Sequence, residues 1–183
     1  PYLLGGVAIA SIVFDCMFWL FGFLRMGTVA FTAQAVGGDD QLEIRAVLAR
    51  ALLIAALVGI LLIALHAPLS ALIFSLMGGS DAVTGAARQY FAIRLWSAPF
   101  VLANYVLLGW LVGQARTGTA LALQVIINIV NIALTAWLVL GLGTGIAGAA
   151  IAAVFAEGIG LLAGTAVAWR SLGGHLNVPR DVL

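Results

Sequence analysis

Residues 120–140, ALALQVIINIVNIALTAWLVL, constrain this chain more than any other stretch. The run is long and apolar enough to cross a bilayer, which takes about 20 mainly apolar residues. It nevertheless carries Gln124, Asn128, Asn131 and Thr135. At roughly 100° per residue these four fall on one narrow helical face. Lipid offers polar groups no partners, so the stripe must face other helices or a wet cavity. On the residues alone two readings stand. The stripe is hydrogen-bonding glue between helices, at roughly 0.6–2 kcal/mol per contact, or it is the wall of a solute pathway.

Composition places the whole chain in the same solvent. It is 64% hydrophobic and 8% charged, against about 45–50% and 25% in soluble domains. This is an all-α integral membrane protein with lipid around it. Its basic residues are all arginine and form no run, and the net charge is +1, so no nucleic-acid partner is expected. A single cysteine, Cys16, allows neither an internal disulfide nor a cysteine metal site. His-Glu-x-x-His, Gly-x-Ser-x-Gly and P-loop signatures are absent. No enzyme activity, metal or cofactor is expected.

Five spans are predicted, over about 2–35, 46–66, 82–113, 118–140 and 146–169. Gly37-Gly38-Asp39-Asp40 ends the first, and Pro68 stops the second. Ser80 or Asp81 is a capping candidate for the third, in which Pro99 predicts a kink. Residues 141–145, GLGTG, read as a tight turn. Residues 170–183 read as a polar cytoplasmic loop, the tail that follows one lobe made of 1–170. In the fifth span Gly148, Ala152, Ala156, Gly160 and Gly164 recur every four residues. Small residues at that spacing let helix backbones approach closely.

Arginine placement suggests the orientation. Arg45, Arg50, Arg116, Arg170 and Arg180 fall on one side, with Arg25 assigned to the same end of the first span. Arg88 and Arg94 fall toward the other. The first side is expected to be cytoplasmic, which puts residue 1 outside and residue 183 inside. Asp15 and Glu157 sit near the middle of their spans. Each costs roughly 2.5–3.5 kcal/mol there if charged, so such residues face the interior and often mark proton or ion pathways. A carboxyl paired to a neighbouring helix is the plainer alternative. Arg94 either snorkels to the interface or forms an ion pair with one of the carboxylates. Asn104 and Tyr105 follow Pro99 at mid-depth, and Asn104 is a candidate to join the polar stripe.

Phe21-Gly22-Phe23-Leu24-Arg25-Met26-Gly27-Thr28, followed by Thr32-Ala33-Gln34-Ala35, resembles the second transmembrane helix of the multidrug and toxic compound extrusion (MATE) family, in its DinF-like branch. Matches continue in order through Gly78-Gly79-Ser80, Ile93-Arg94, Ser97-Ala98-Pro99, Ala103-Asn104 and Leu108-Gly109-Trp110-Leu111. Asn128-Ile129, Asn131-Ile132, Gly148-Ala149-Ala150 and Ala156-Glu157 complete the set. The resemblance implies a MATE-type antiporter fold, of which this chain is a partial amino-terminal lobe resembling helices two to six. A first helix is then expected upstream and a carboxy-terminal lobe downstream, both as partners within the same chain. It implies export of a small organic substrate, often cationic, across the cell (plasma or inner) membrane in exchange for protons or sodium ions. Asn104, Asn128 and Asn131 carry over as cavity-lining positions. One departure stands out: the family's fifth helix commonly has an aspartate where this chain has Thr135. A threonine hydroxyl does not ionise in this pH range. Asp15 and Glu157 are therefore the candidate proton-linked residues here. A lipid-linked precursor flippase of the wider superfamily and a non-transporting membrane scaffold are the alternatives.

Overall fold

The computed structural model describes residues 2–76 and 81–173. The turn expected at Gly78-Gly79, the Ser80 cap and the tail beyond Gly173 lie outside the described residues. Among the described residues eight α-helices follow one another: α1 (Tyr2–Leu20), α2 (Gly22–Gly37), α3 (Gln41–Ala64), α4 (His66–Leu76), α5 (Asp81–Arg94), α6 (Ala98–Gly113), α7 (Thr117–Ala136) and α8 (Gly145–Ser171). By length and composition they supply five segments able to cross a membrane: Gly5–Gly37, Gln41–Ala64, Ala82–Gly113, Thr117–Gly141 and Gly145–Ser171. The all-helical membrane architecture expected from the sequence is the one observed.

The first span breaks at Phe21, which the sequence reading runs through as one helix. Phe21 N–H donates to Phe18 O and Leu24 N–H to Phe21 O, both at 3.0 Å, a tightened turn that redirects the chain from α1 into α2. The second span starts at Gln41, five residues before the predicted position. Asp40 Oδ1 accepts from Glu43 N–H at 2.9 Å and caps α3. The Asp-x-x-Glu spacing of a capping box marked this start. Past Leu65 the chain turns helical again as α4, with Pro68 in its first turn, where a missing N–H costs nothing. Pro99 sits in the first turn of α6, directly after a 3₁₀ turn at Leu95–Ser97. That turn is the predicted kink. The connection from α7 to α8 widens into a π turn at Trp137–Gly141, closed by Leu142 N–H on Trp137 O. Gly143 and Gly145 then take φ +64° and +60°, a backbone that side chains with a Cβ rarely adopt.

The helix at the centre is α6. It is apolar all round and packs on α2, α3, α7 and α8. Val106, Leu107, Trp110 and Leu111 are all fully buried, and Trp110 Nε1–H donates to Ile44 O of α3 at 3.0 Å. Glycines set these distances. A Cβ at Gly59 would lie 2.5 Å from Pro99 Cα, and one at Gly109 would lie 2.6 Å from Arg25 O. The four-residue ladder of α8 is buried along its length. Its Gly160 faces Ile127 of α7 and Asn104 of α6, and its Gly164 faces Leu107. By contrast Trp19, Phe23, Met26 and Phe31 of α1 and α2 point outward, where hydrocarbon is the expected solvent.

Candidate functional site: a polar cavity among six helices

Phe14 and Phe18 of α1 are one turn apart and both buried, with ring centroids 4.4 Å apart. Phe14 meets Phe91 of α5 edge-on at 6.4 Å, and Phe91 meets Phe74 of α4 edge-on at 5.7 Å. This aromatic contact seats α1 on α5. Arg94 lies three residues after Phe91, on the same face of α5. Its guanidinium carbon stands 4.7 Å from the centre of the Phe14 ring, within cation–π range. Asp15 follows Phe14 around α1.

On the opposite wall Gly160 lets α8 approach α6, and Asn104 reaches across. Asn104 is 4% exposed. Its Nδ2 donates to Glu157 Oε2 at 2.7 Å and to Glu157 O at 3.0 Å. Both amide hydrogens are therefore spent on one residue of α8, and the carboxylate is held in a fixed direction.

Between these walls lies a cavity of about 270 Å³. Its polar lining is Asp15 of α1, Arg25 of α2, Arg94 of α5, Asn104 and Tyr105 of α6, Gln124 of α7 and Glu157 of α8. Phe14, Phe18, Val101, Leu108 and Ile127 complete it. Asp15 and Arg25 stand at exposed positions, Asn104 is buried, and the other polar groups are half-buried. A polar pocket enclosed by apolar spans is where solute and ion sites of membrane transporters are built. Among the described residues no three His, Cys, Asp or Glu side chains are grouped to hold a metal.

Of the residues singled out from sequence, Asp15, Arg94, Asn104, Gln124 and Glu157 come together here. Asn128, Asn131 and Thr135 do not line the cavity. Asn128 is exposed, and its Oδ1 accepts from Gln124 Nε2 at 3.5 Å. Thr135 Oγ1 donates to Asn131 Oδ1 at 3.2 Å. The stripe thus satisfies itself along α7 in pairs four residues apart, beside the buried seam of Ala120, Leu123 and Ile127. The ion pair considered for Arg94 is not formed. Among the described residues the one salt bridge is Arg50 to Glu43, at 2.6 Å on α3, and Arg94 rests on an aromatic face instead.

Arg25 is the correction of most consequence: assigned to the cytoplasmic end, it lines the cavity. The length of its span held the signal. In the 33-residue segment from Gly5 to Gly37 Arg25 stands just past the middle at Phe21, well short of either end. Tyr105 was placed at mid-depth but not singled out. Its position next to Asn104, on a helix buried all round, is what brings it in.

The MatE family model matches residues 1–137. The DNA damage-inducible protein F of Escherichia coli K12 is 43% identical over 164 residues, covering 90% of this chain and 36% of that protein. A probable multidrug resistance protein NorM of Caulobacter vibrioides is 31% identical over 118 residues, 64% of this chain and 25% of that protein. A solved structure described as MATE in complex with MaL6 superposes with a TM-score of 0.88 at 22% identity, over 100% of this chain and 41% of that one. The chain therefore spans about a third of the length of the E. coli relative and a quarter of the NorM one.

Proposed function

The chain belongs to the MatE family, and on that premise we propose that it forms one lobe of a secondary active antiporter of the inner membrane. This antiporter exports small organic compounds in exchange for protons or sodium ions. The observation that carries the reading is the convergence on one cavity of Asp15, Arg25, Arg94, Asn104, Tyr105, Gln124 and Glu157, drawn from six helices of an otherwise apolar bundle. A scaffold subunit has no need to hold four ionisable groups around an opening in hydrocarbon, because each carries a desolvation cost that packing alone does not return. In the lobe proposed here Asp15 and Glu157 take up and release the coupling ion. Asn104 orients Glu157, and the solute enters beside Tyr105 and Gln124. The orientation is that of the arginine asymmetry, with the α2–α3 and α6–α7 turns cytoplasmic.

Asp15→Asn and Glu157→Gln keep the shape of the side chains and remove the ionisation. In the full-length protein, reconstituted in liposomes, at least one of them should flatten the pH dependence of dye efflux while leaving the amount of folded protein unchanged. If both variants keep the parental pH profile, coupling lies outside these residues and the carboxyls are structural.

A further inference from the structure

We propose that this cavity receives an oxyanion of its solute, a carboxylate or a phosphate, on Arg94 and Arg25. The inference rests on the transport reading, and it narrows the solute to one that carries an oxyanion even where it also carries a cation.

Among the described residues the groups around the cavity that titrate or carry charge are Asp15 on α1, Arg25 on α2, Arg94 on α5, Tyr105 on α6 and Glu157 on α8, with α7 contributing only the neutral Gln124. The two guanidiniums are always charged. The two carboxyls are charged or neutral. With Tyr105 neutral, the lining runs from zero net charge with both carboxyls ionised to +2 with both protonated. The share of the lining that these residues contribute is not negative, and it does not by itself select a simple organic cation.

Geometry points the same way. Neither arginine forms an ion pair with either carboxyl among the described residues. Glu157 is engaged by Asn104 instead. Arg94 Nη1 is buried and has no hydrogen-bond partner among the described residues. A buried donor without an acceptor is rare and calls for an explanation. The Phe14 ring, its centre 4.7 Å from the guanidinium carbon, satisfies none of the guanidinium N–H groups. An oxyanion in the cavity that Arg94 lines is what the fork geometry of arginine matches, and it can be gripped through two parallel hydrogen bonds. Arg25 stands on the exposed side of the same cavity, where it meets the anion on entry.

A dye pair of one scaffold separates the alternatives: rhodamine 6G, a cationic ester, and its free carboxylic acid, a zwitterion. Only the carboxyphenyl end has to enter the cavity. Binding is measured by fluorescence anisotropy on the full-length protein in detergent, with efflux followed separately in liposomes. The free acid should bind at least about tenfold more tightly than the ester. That preference should hold across pH 8 to 5.5, because both guanidiniums stay charged throughout. Arg94→Gln should abolish the preference, weakening binding of the acid far more than that of the ester. Arg25→Gln, at an exposed position, should weaken the preference without a loss of folded protein, so the test survives a failure of Arg94→Gln to fold. Displacement of the acid by benzoate names a carboxylate site, and displacement by phenyl phosphate a phosphate site. Equal or tighter binding of the ester, a preference that survives both arginine variants, or displacement by neither competitor overturns the inference. Efflux of the ester alone would overturn it and leave the antiporter standing. A preference for the acid without efflux of either dye would instead overturn the antiporter.

Discussion

Asn104 and Asn128 are the same residue type at the same depth class of neighbouring helices, and they have opposite surroundings. Asn104 is buried and spends both amide hydrogens on Glu157. Asn128 is exposed and accepts one long bond from Gln124. Removing one partner of a buried hydrogen bond leaves the other unsatisfied, at a cost of about 1–3 kcal/mol. Asn104→Leu should therefore lower the thermal unfolding midpoint of the purified protein and disturb efflux as well. Asn128→Leu should leave the midpoint within error of the parent. A loss of stability in Asn128→Leu equal to that in Asn104→Leu would mean that the α7 stripe is buried against further protein and acts as glue. Asn131 and Thr135, joined to each other on the same face, should follow Asn128.

Among the elements, α6 owes its central place to close approach. Where a Cβ added to a glycine would strike backbone, the neighbouring helix must move as a body. Where it would strike nothing, the added methyl is harmless. Gly59 and Gly109 are of the first kind, against Pro99 Cα and Arg25 O. Gly27 is of the second. Overpacking costs about 1–3 kcal/mol, whereas alanine in a helix gains up to about 1 kcal/mol over glycine. Gly59→Ala and Gly109→Ala should thus lower thermal stability in detergent, and Gly27→Ala should hold or raise it. Gly109→Ala carries a second consequence, since pushing on the Arg25 backbone displaces a cavity residue. Its efflux should fall further than that of Gly59→Ala at matched amounts of folded protein. Equal midpoints for the three variants would refute the close packing of α2 and α3 on α6.

At the level of the whole molecule, the turns after α2 and α6 and the end of α8 share one face of the bundle. Arg116 Nη1 donates to Ser171 Oγ and ties two of them together. Arg45, Arg50, Arg116 and Arg170 cluster toward that face, while Arg88 and Arg94 belong to α5 on the other side of the kink. Moving Arg25 from that face into the cavity leaves the asymmetry standing, though weaker by one. In a Cys16→Ser background, Gln41→Cys and Thr117→Cys should resist an impermeant thiol reagent in intact cells, and His66→Cys should react. Rapid labelling of Gln41→Cys without permeabilisation would invert the orientation.

Hydropathy and spacing alone determined the solvent, the number of spans, the turn at 141–145 and the seam of small residues on α8, because each depends on neighbours near in the chain. A run of about 20 apolar residues has one environment available to it, and a four-residue period of glycine and alanine has one use in that environment. Periodicity also showed that Gln124, Asn128, Asn131 and Thr135 share a face. It could not show what that face meets, and only Gln124 reaches the cavity. The tertiary structure decided the rest. The close approach of α2 to α6 at Gly109 places Arg25, the packing of α1 on α5 sets Phe14 against Arg94, and the approach of α8 at Gly160 brings Glu157 within reach of Asn104. Asn104 and Glu157 are 53 residues apart, and a contact of that separation depends on how the helices pack, which no local pattern in the chain encodes.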